Sequence, residues 1–209
     1  MTEAAFSFTR LQLSPYNTNS YLLMCQETRE SLVIDAPGEA EKILRHLEGT
    51  KPKYILMTHS HHDHVLALNF LKRRLGVPVA CHPDDAGELP LEPDVELHDS
   101  QLFTLGHMKV RVLHTPGHTR GSCCFLAENH LFSGDTLFPG GPGWTASPED
   151  LRVLLDSLAR KVFVLPDDTE VHPGHGEGTT LGYERGRYSA FASKPLFHGL
   201  CGNVTWDSV

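Results

Sequence analysis

The sequence contains no apolar run approaching the ~18 residues that suggest a membrane span, so no membrane partner is expected. It also has no excess of positive charge. Lys and Arg number 18 against 26 Asp and Glu, a formal net charge of −8, and no basic run stands out. A phosphate backbone is held by clustered cations, so a nucleic-acid partner is not expected either. Cysteine is sparse and odd in number. Cys25, Cys81, Cys123, Cys124 and Cys201 show no C-x-x-C spacing. That argues against a disulfide framework and a zinc ribbon, and favours a reducing compartment. The opening MTEAAFSFTR lacks a basic stretch followed by an apolar one, so no signal peptide is expected and the cytoplasm is the expected location. No Gly/Ser linker, low-complexity tract or internal repeat divides the chain, and residues 1–209 are expected to form a single domain.

What the sequence does have is short apolar runs alternating with helical patterns. SLVID (31–35) and KYILM (53–57) read as buried strands. Between them Ala40, Ile43, Leu44 and Leu47 follow the spacing of a helix with one buried face. Leu68, Leu71 and Leu75 mark a second helix, stopped by Gly76 and Pro78. Met108, Val110 and Val112 alternate with Lys109 and Arg111 as in a half-buried strand, and CCFLAE (123–128) and HLFSGD (130–135) read as two strands joined tightly. Ser147 caps a third helix with Pro148 in its first turn and Leu151, Leu154, Leu155 and Leu158 as its stripe. EVHPGHG (170–176) reads as a strand entering a loop, and the segment after it shows no placeable element. Strands and helices mix along the whole length, which is the pattern of a layered α/β fold.

The densest chemistry lies in THSHHDHV (58–65), which reduces to His-x-His-x-Asp-His: His59, His61, Asp63 and His64. It follows a strand and precedes a helix, at the carboxyl end of a strand where α/β layers carry their sites. On an extended segment residues two apart project to one side, so His59 and His61 can grip one ion. Asp63 and His64 fall where the chain turns into the helix and can serve a second. Imidazole and carboxylate donors suit zinc, with iron or manganese as alternatives. Three later segments add donors: His118 in HTPGHTRGS (114–122), Asp135 in FSGDTLF (132–138) and His175 in HPGHG (172–176). His62, His114 and His172 flank these residues and are expected to play supporting roles without metal bonds. Cys123 and Cys124 are expected to be small core residues, and His46, His82, His98, His107, His130 and His198 have no company that suggests chemistry.

With THSHHDH, TPGHTRGS, GDTLF and HPGHG in this order, the chain resembles the metallo-β-lactamase superfamily, nearest its hydroxyacylglutathione hydrolase (glyoxalase II) branch. The resemblance implies a four-layer αβ/βα sandwich with two divalent metal ions at one edge. It implies that His59, His61 and His118 hold the first ion, that Asp63, His64 and His175 hold the second, and that Asp135 bridges. Asp35, in VIDAPG, is the expected orienting carboxylate. Two features depart from that branch: residues 177–209 form a C-terminal extension too short for its helical domain, and the loop that there holds basic and tyrosyl glutathione contacts reads PGGPGWT (139–145), with Trp144 as its only large side chain.

The implied reaction is hydrolysis of a small acyl substrate, a thioester first. Two cations about 3.5–4 Å apart lower the pKa of a shared water, and Asp63 or Asp135 takes its proton. No general acid for the leaving group is evident, which favours a thiolate. Competing expectations are a lactonase or β-lactamase on the same centre, a mononuclear-iron persulfide dioxygenase, and a non-catalytic metal-binding module. Trp144 is expected either to cover the substrate or to latch its loop. Tyr183, Arg185, Arg187 and Tyr188 are expected either to meet a substrate carboxylate or to form a solvated helix face. The sequence leaves the oligomeric state open.

Overall fold

Side-chain alternation along the strands decides the architecture. In a computed structural model that describes residues 6–195 and 198–208, two six-stranded sheets stack face to face, each with helices outside. Residues 1–5, half of the segment in which no signal peptide is read, lie outside the described residues.

The first sheet runs β1 (Phe6–Leu13), β2 (Thr18–Cys25), β3 (Glu30–Ile34), β4 (Lys51–Leu56), β5 (Val79–Cys81) and β6 (Val95–Glu96) in that spatial order. The first three strands pair antiparallel, and β3 to β6 pair parallel. Helices α1 (Ala40–Leu47) and α3 (Leu68–Leu75) lie on its outer face, with the short α2 (His62–Val65) between β4 and α3 and the short α4 (Pro83–Ala86) after β5. The second sheet has the order β14-β13-β10-β9-β8-β7. Its strands are β7 (Leu102–Leu105), β8 (Met108–His114), β9 (Cys123–Ala127), β10 (His130–Gly134), β13 (Glu170–Pro173) and β14 (Thr179–Thr180). Strands β10 and β13 are parallel neighbours. Helix α5 (Pro148–Ser157) continues into a π-helical turn at Leu158–Val162, and α6 (Leu181–Ala192) follows β14. A small ribbon, β11 (Leu137–Phe138) with β12 (Gly141–Pro142), sits after β10.

Successive residues of a strand face opposite sides of its sheet, and here they enter different cores. Leu32 and Ile34 point between the sheets while Val33 points out to α1 and α3; Leu56 and Ile55 divide the same way. In the second sheet Val112 and Phe125 face inward, and Leu113 and Cys124 join the outer core with Leu151, Leu155 and Leu158. The result is the four-layer αβ/βα sandwich that the resemblance implied. The expected helices form: Ser147 Oγ accepts the Asp150 amide at the start of α5, a cap that contributes ~1 kcal/mol, and Gly76 (φ 65°) ends α3 in the left-handed conformation.

The C-terminal segment is where the structure departs most from the sequence reading. Residues Leu181–Ala192 are helical, and Phe191, Val204 and Trp206 complete the outer core of the second sheet. The helix hides from pattern reading because one of its buried positions is a carboxylate, Glu184, between Gly182 and Gly186.

Candidate metal centre

All the donor segments leave the sheets at one edge. Asp35 follows β3, residues 58–64 follow β4, His118 follows β8, Asp135 follows β10 and His175 follows β13. The strands they follow point the same way within each sheet, so their carboxyl ends meet across the sandwich.

His59, His61 and His118 converge on one point. His118 Nε2 lies 3.3 Å from His59 Nε2 and 2.9 Å from His61 Nδ1. Ligands ~2.0–2.1 Å from a tetrahedral ion stand about 3.3 Å apart, so one cation fits among them. Asp63, His64 and His175 form a second group: His175 Nε2 is 3.0 Å and His64 Nε2 3.6 Å from Asp63 Oδ2. Asp135 lies between the groups. Its Oδ1 is 3.4 Å from His64 Nε2, and its Oδ2 is 3.7 Å from both His118 Nε2 and His175 Nε2. The structure thus brings together all seven residues singled out from the spacing and the resemblance.

The surrounding hydrogen bonds fix which nitrogen of each ring faces inward. The Thr58 hydroxyl donates to Asp35 Oδ2 at 2.7 Å, so it accepts from His59 Nδ1 at 3.0 Å and leaves the Nε2 lone pair free. His64 Nδ1 donates to Asp35 at 2.8 Å, and His118 Nδ1 donates to the Trp144 carbonyl at 2.8 Å. Such partners hold a ligand imidazole in its binding tautomer. They leave His64 Nε2 and Asp135 Oδ1 among the buried side-chain atoms without a hydrogen-bond partner. An unpaired buried polar atom is costly, and a cation between these two removes that cost. This is the observation by which the residues fit a divalent metal ion.

Electrostatics agree. Burial would lower His64, but Asp35 and Asp135 outweigh it and raise its pKa to about 10 in the metal-free chain. The same pocket would push Asp135 up by burial, and His64 holds it below the usual carboxylate range. Asp63 is likewise held down, by His175, His64 and Thr18 against burial. His59, fully buried among other imidazoles, is pushed well down and stays neutral, the ligating form.

Several positioning residues escape sequence reading. Asp85 is 3% exposed and accepts from the Ser60 amide at 2.9 Å, the Thr119 hydroxyl at 2.8 Å and the Gly121 amide at 2.8 Å. It ties the loop carrying His61 to the loop carrying His118. From the start of β2, the Thr18 hydroxyl donates to Asp63 at 3.1 Å, Asn19 Nδ2 donates to the Pro173 and Gly176 carbonyls at 2.9 Å, and the Tyr21 hydroxyl donates to Pro173 at 2.6 Å. Those bonds hold the His175 loop against the first sheet. The only local signal was a polar run, NTNS (17–20), ahead of an apolar strand. Gly174 is required by contact: a Cβ there would stand 2.2 Å from Asp135 Oδ1 and 2.7 Å from His64 Cε1.

Two grooves open beside the cluster. One, of about 690 Å³, runs past His61 and His62 between Glu88 and Arg120. The other, of about 360 Å³, adjoins Asp135 and His175 and is walled by Phe138, Trp144, Asn203 and Thr205. Trp144 is 47% exposed on that wall. Tyr183 and Arg187, the other expected contacts, do not line either groove. Arg187 is drawn to Asp207 at 2.6 Å and stacks on Tyr183, which is 61% exposed. Arg185 is bound to Asp167 and the Leu165 carbonyl. Local ion pairs thus engage the cations of this helix, and the Arg187 guanidinium lies beside Gly140 of the groove wall. His62 is exposed, and His114 Nε2 donates to the Arg120 carbonyl at 2.9 Å; neither ring enters the cluster. Cys123 and Cys124 are buried core residues. Among the described residues no helix is long and apolar enough to cross a membrane.

Comparison with known proteins fits this geometry. The chain is 31% identical over 187 residues to hydroxyacylglutathione hydrolase GloC of Haemophilus influenzae, covering 78% of this chain and 88% of that protein. Among solved structures it is similar to ETHE1 from Myxococcus xanthus (TM-score 0.81, 29% identity, 90% of this chain and 86% of that one). It is similar to the B3 metallo-beta-lactamase BLEG-1 (TM-score 0.80, 32% identity, 86% and 97%). It is also similar to TTHA1623, solved in a di-iron-bound form (TM-score 0.74, 36% identity, 85% and 96%). Residues 13–175 match the family profile, so the chain belongs to the metallo-beta-lactamase superfamily.

Proposed function

We propose that the protein is a dinuclear-metal-dependent hydrolase acting on thioesters, with His59, His61 and His118 holding one ion, Asp63, His64 and His175 the other, and Asp135 shared. The observation that carries this reading is Asp135, which stands between the two donor groups: its Oδ2 is 3.7 Å from both His118 Nε2 of the first and His175 Nε2 of the second, and its Oδ1 is 3.4 Å from His64 Nε2. Zinc suits the imidazole and carboxylate set, and iron fits it as well. When bound, such a pair supplies a nucleophilic water at neutral pH and polarises the substrate carbonyl.

The chain's own residues do the rest. Asp63, kept ionised by His175, His64 and Thr18, accepts the proton that water releases. His64, His59 and His118 are held in place by Asp35, Thr58 and the Trp144 carbonyl, so the donors need no rearrangement during the reaction. Apart from the donors Asp135 and His175, the described residues lining the groove beside them, among them Phe138, Trp144, Asn203 and Thr205, include no side chain able to protonate a leaving nitrogen. A thiolate departs without that proton, whereas an amide nitrogen does not. This supports a thioester ahead of a lactone or a β-lactam. The similarity to a hydroxyacylglutathione hydrolase points the same way.

The test is hydrolysis of S-D-lactoylglutathione by zinc-loaded protein against a chelated control. Metal-dependent turnover with kcat/KM of ~10⁴ M⁻¹s⁻¹ or above is expected. A negligible rate with zinc bound would reject glutathione as the carrier and move the search to other thioesters and to lactones.

A further inference from the structure

Outside this centre, β10 and β13 bring together residues that are far apart in sequence. Their parallel register sets His130 opposite Glu170 and Phe132 opposite His172. His130, Glu170 and His172 thereby share one face of the sheet. His130 Nδ1 lies 3.0 Å from His172 Nε2, and Glu170 Oε2 lies 3.5 Å and 3.8 Å from those two nitrogens. These edges bracket the ~3.3 Å expected between ligands of a tetrahedral zinc. They also match the 2.9 Å and 3.3 Å separations within His59, His61 and His118.

We infer that His130, His172 and Glu170 form a separate divalent-metal site that clamps β10 to β13. Two imidazoles and one carboxylate make a donor set for zinc, copper(II) or nickel(II), with a fourth position open to water. The surroundings suit it. Phe8 packs on both rings, at 5.1 Å from His130 and 4.7 Å from His172, and Phe6 and Phe132 add further apolar wall. Burial, with His130 and Arg10 nearby, pushes His172 down to about 4, so its ring is neutral at physiological pH. Arg10 is a cation near His172, and its guanidinium is engaged by Glu177 at 2.8 Å and 2.9 Å. Glu170, about half exposed at 52%, gives an ion a way in from solvent.

A bare hydrogen bond between the two rings would also place their nitrogens 3.0 Å apart. It would not require a carboxylate oxygen facing both nitrogens beyond hydrogen-bonding distance. Another such group among the described residues, His82 with Asp84 and His114, has its donors otherwise engaged. Its rings stack face to face at 3.8 Å, and His82 Nδ1 is used to cap α4. The clamp has a consequence for the centre, because β10 runs on into Asp135 and β13 into His175. An ion across their starts fixes the relative position of the two strands that deliver those residues.

Zinc counting by native mass spectrometry on the full chain tests this, in wild type, His130→Gln and Glu170→Gln. Wild type should hold one more zinc than His130→Gln, and Glu170→Gln, exposed and unable to disturb packing, should lose the same equivalent first as free zinc is lowered. Adding zinc should raise the thermal midpoint of wild type more than that of either variant. The same comparison in a His61→Ala/Asp63→Asn background separates this site from the main centre, since the difference of one zinc should survive there. Equal zinc counts in all three proteins, with His130 and His172 ring ¹⁵N resonances unmoved by zinc, would overturn the site and leave a hydrogen-bonded histidine pair.

Discussion

Replacing Asp35 by Asn tests the support of the centre without touching a donor atom. Asp35 is 1% exposed and accepts three hydrogen bonds: from the Thr58 amide at 2.8 Å, the Thr58 hydroxyl at 2.7 Å and His64 Nδ1 at 2.8 Å. Its backbone is left-handed at φ 60°, a conformation Asn tolerates. The variant therefore keeps shape and backbone and removes the charge. An amide has one acceptor oxygen, so at least one of the three donors meets an NH₂ group. Hydrogen bonds to a buried charge contribute ~1.5–3 kcal/mol each, so a loss of about 2–4 kcal/mol is expected. His64 also loses the partner that fixes its ring. Removing such a partner costs about 10–100-fold in metal affinity. Thermal unfolding of the chelated protein reads the first effect, and competition with a chromophoric chelator reads the second. Wild-type zinc affinity in Asp35→Asn, together with an unmoved midpoint, would refute the positioning role.

Asp63→Ala is expected to cut turnover about 100-fold or more for every substrate, as loss of a general base does; steady-state kinetics on two unrelated thioesters would show whether the loss is substrate-independent. Glu184→Gln should cost about 1–3 kcal/mol and raise KM more than it lowers kcat, because Glu184 accepts from the Gly140 amide at 3.0 Å and Trp206 Nε1 at 2.7 Å and so pins the groove wall; chemical denaturation and kinetics check both. For pH, Asp35 and Asp135 raise His64 to a folded pKa of about 10, from the 6.5 of an ordinary imidazole. Its contribution to the stability of the metal-free chain is therefore full below pH ~6.5 and lost as pH rises towards ~10. A cation must displace that proton, so zinc affinity should rise about tenfold per pH unit through the same window, which chelator competition across pH measures.

The legible parts of this protein are those carried by short-range pattern. The stripes of α1, α3 and α5, the apolar runs of β3 and β4, and the alternation in β8 each state their burial within a few residues. The donors announce themselves through local spacing around His59 and through the Pro-Gly and Gly-His contexts of His118 and His175. What stayed hidden depends on contacts between distant segments. Asp85 looks like one more surface acid until the 60s and 120s loops close on it. Thr18, Asn19 and Tyr21 act only once β2 meets the loop after β13. His130 was read as isolated and His172 as a supporting neighbour of His175, because nothing in the sequence gives the register of β10 with β13. For Tyr183 and Arg187 the sequence left a substrate contact and a solvated helix face open, and the partner Asp207, twenty residues on from Arg187, is visible only in the fold.

The central claim is that two ions share Asp135. Anomalous diffraction from crystals of the zinc-loaded protein, recorded on both sides of the zinc edge, tests it most directly. The expected result is a pair of peaks about 3.5–4 Å apart, one among His59, His61 and His118 and one among Asp63, His64 and His175, with Asp135 between them. A single peak among the three histidines at full occupancy, with the second position empty, would contradict the dinuclear hydrolase and favour a mononuclear centre with different chemistry.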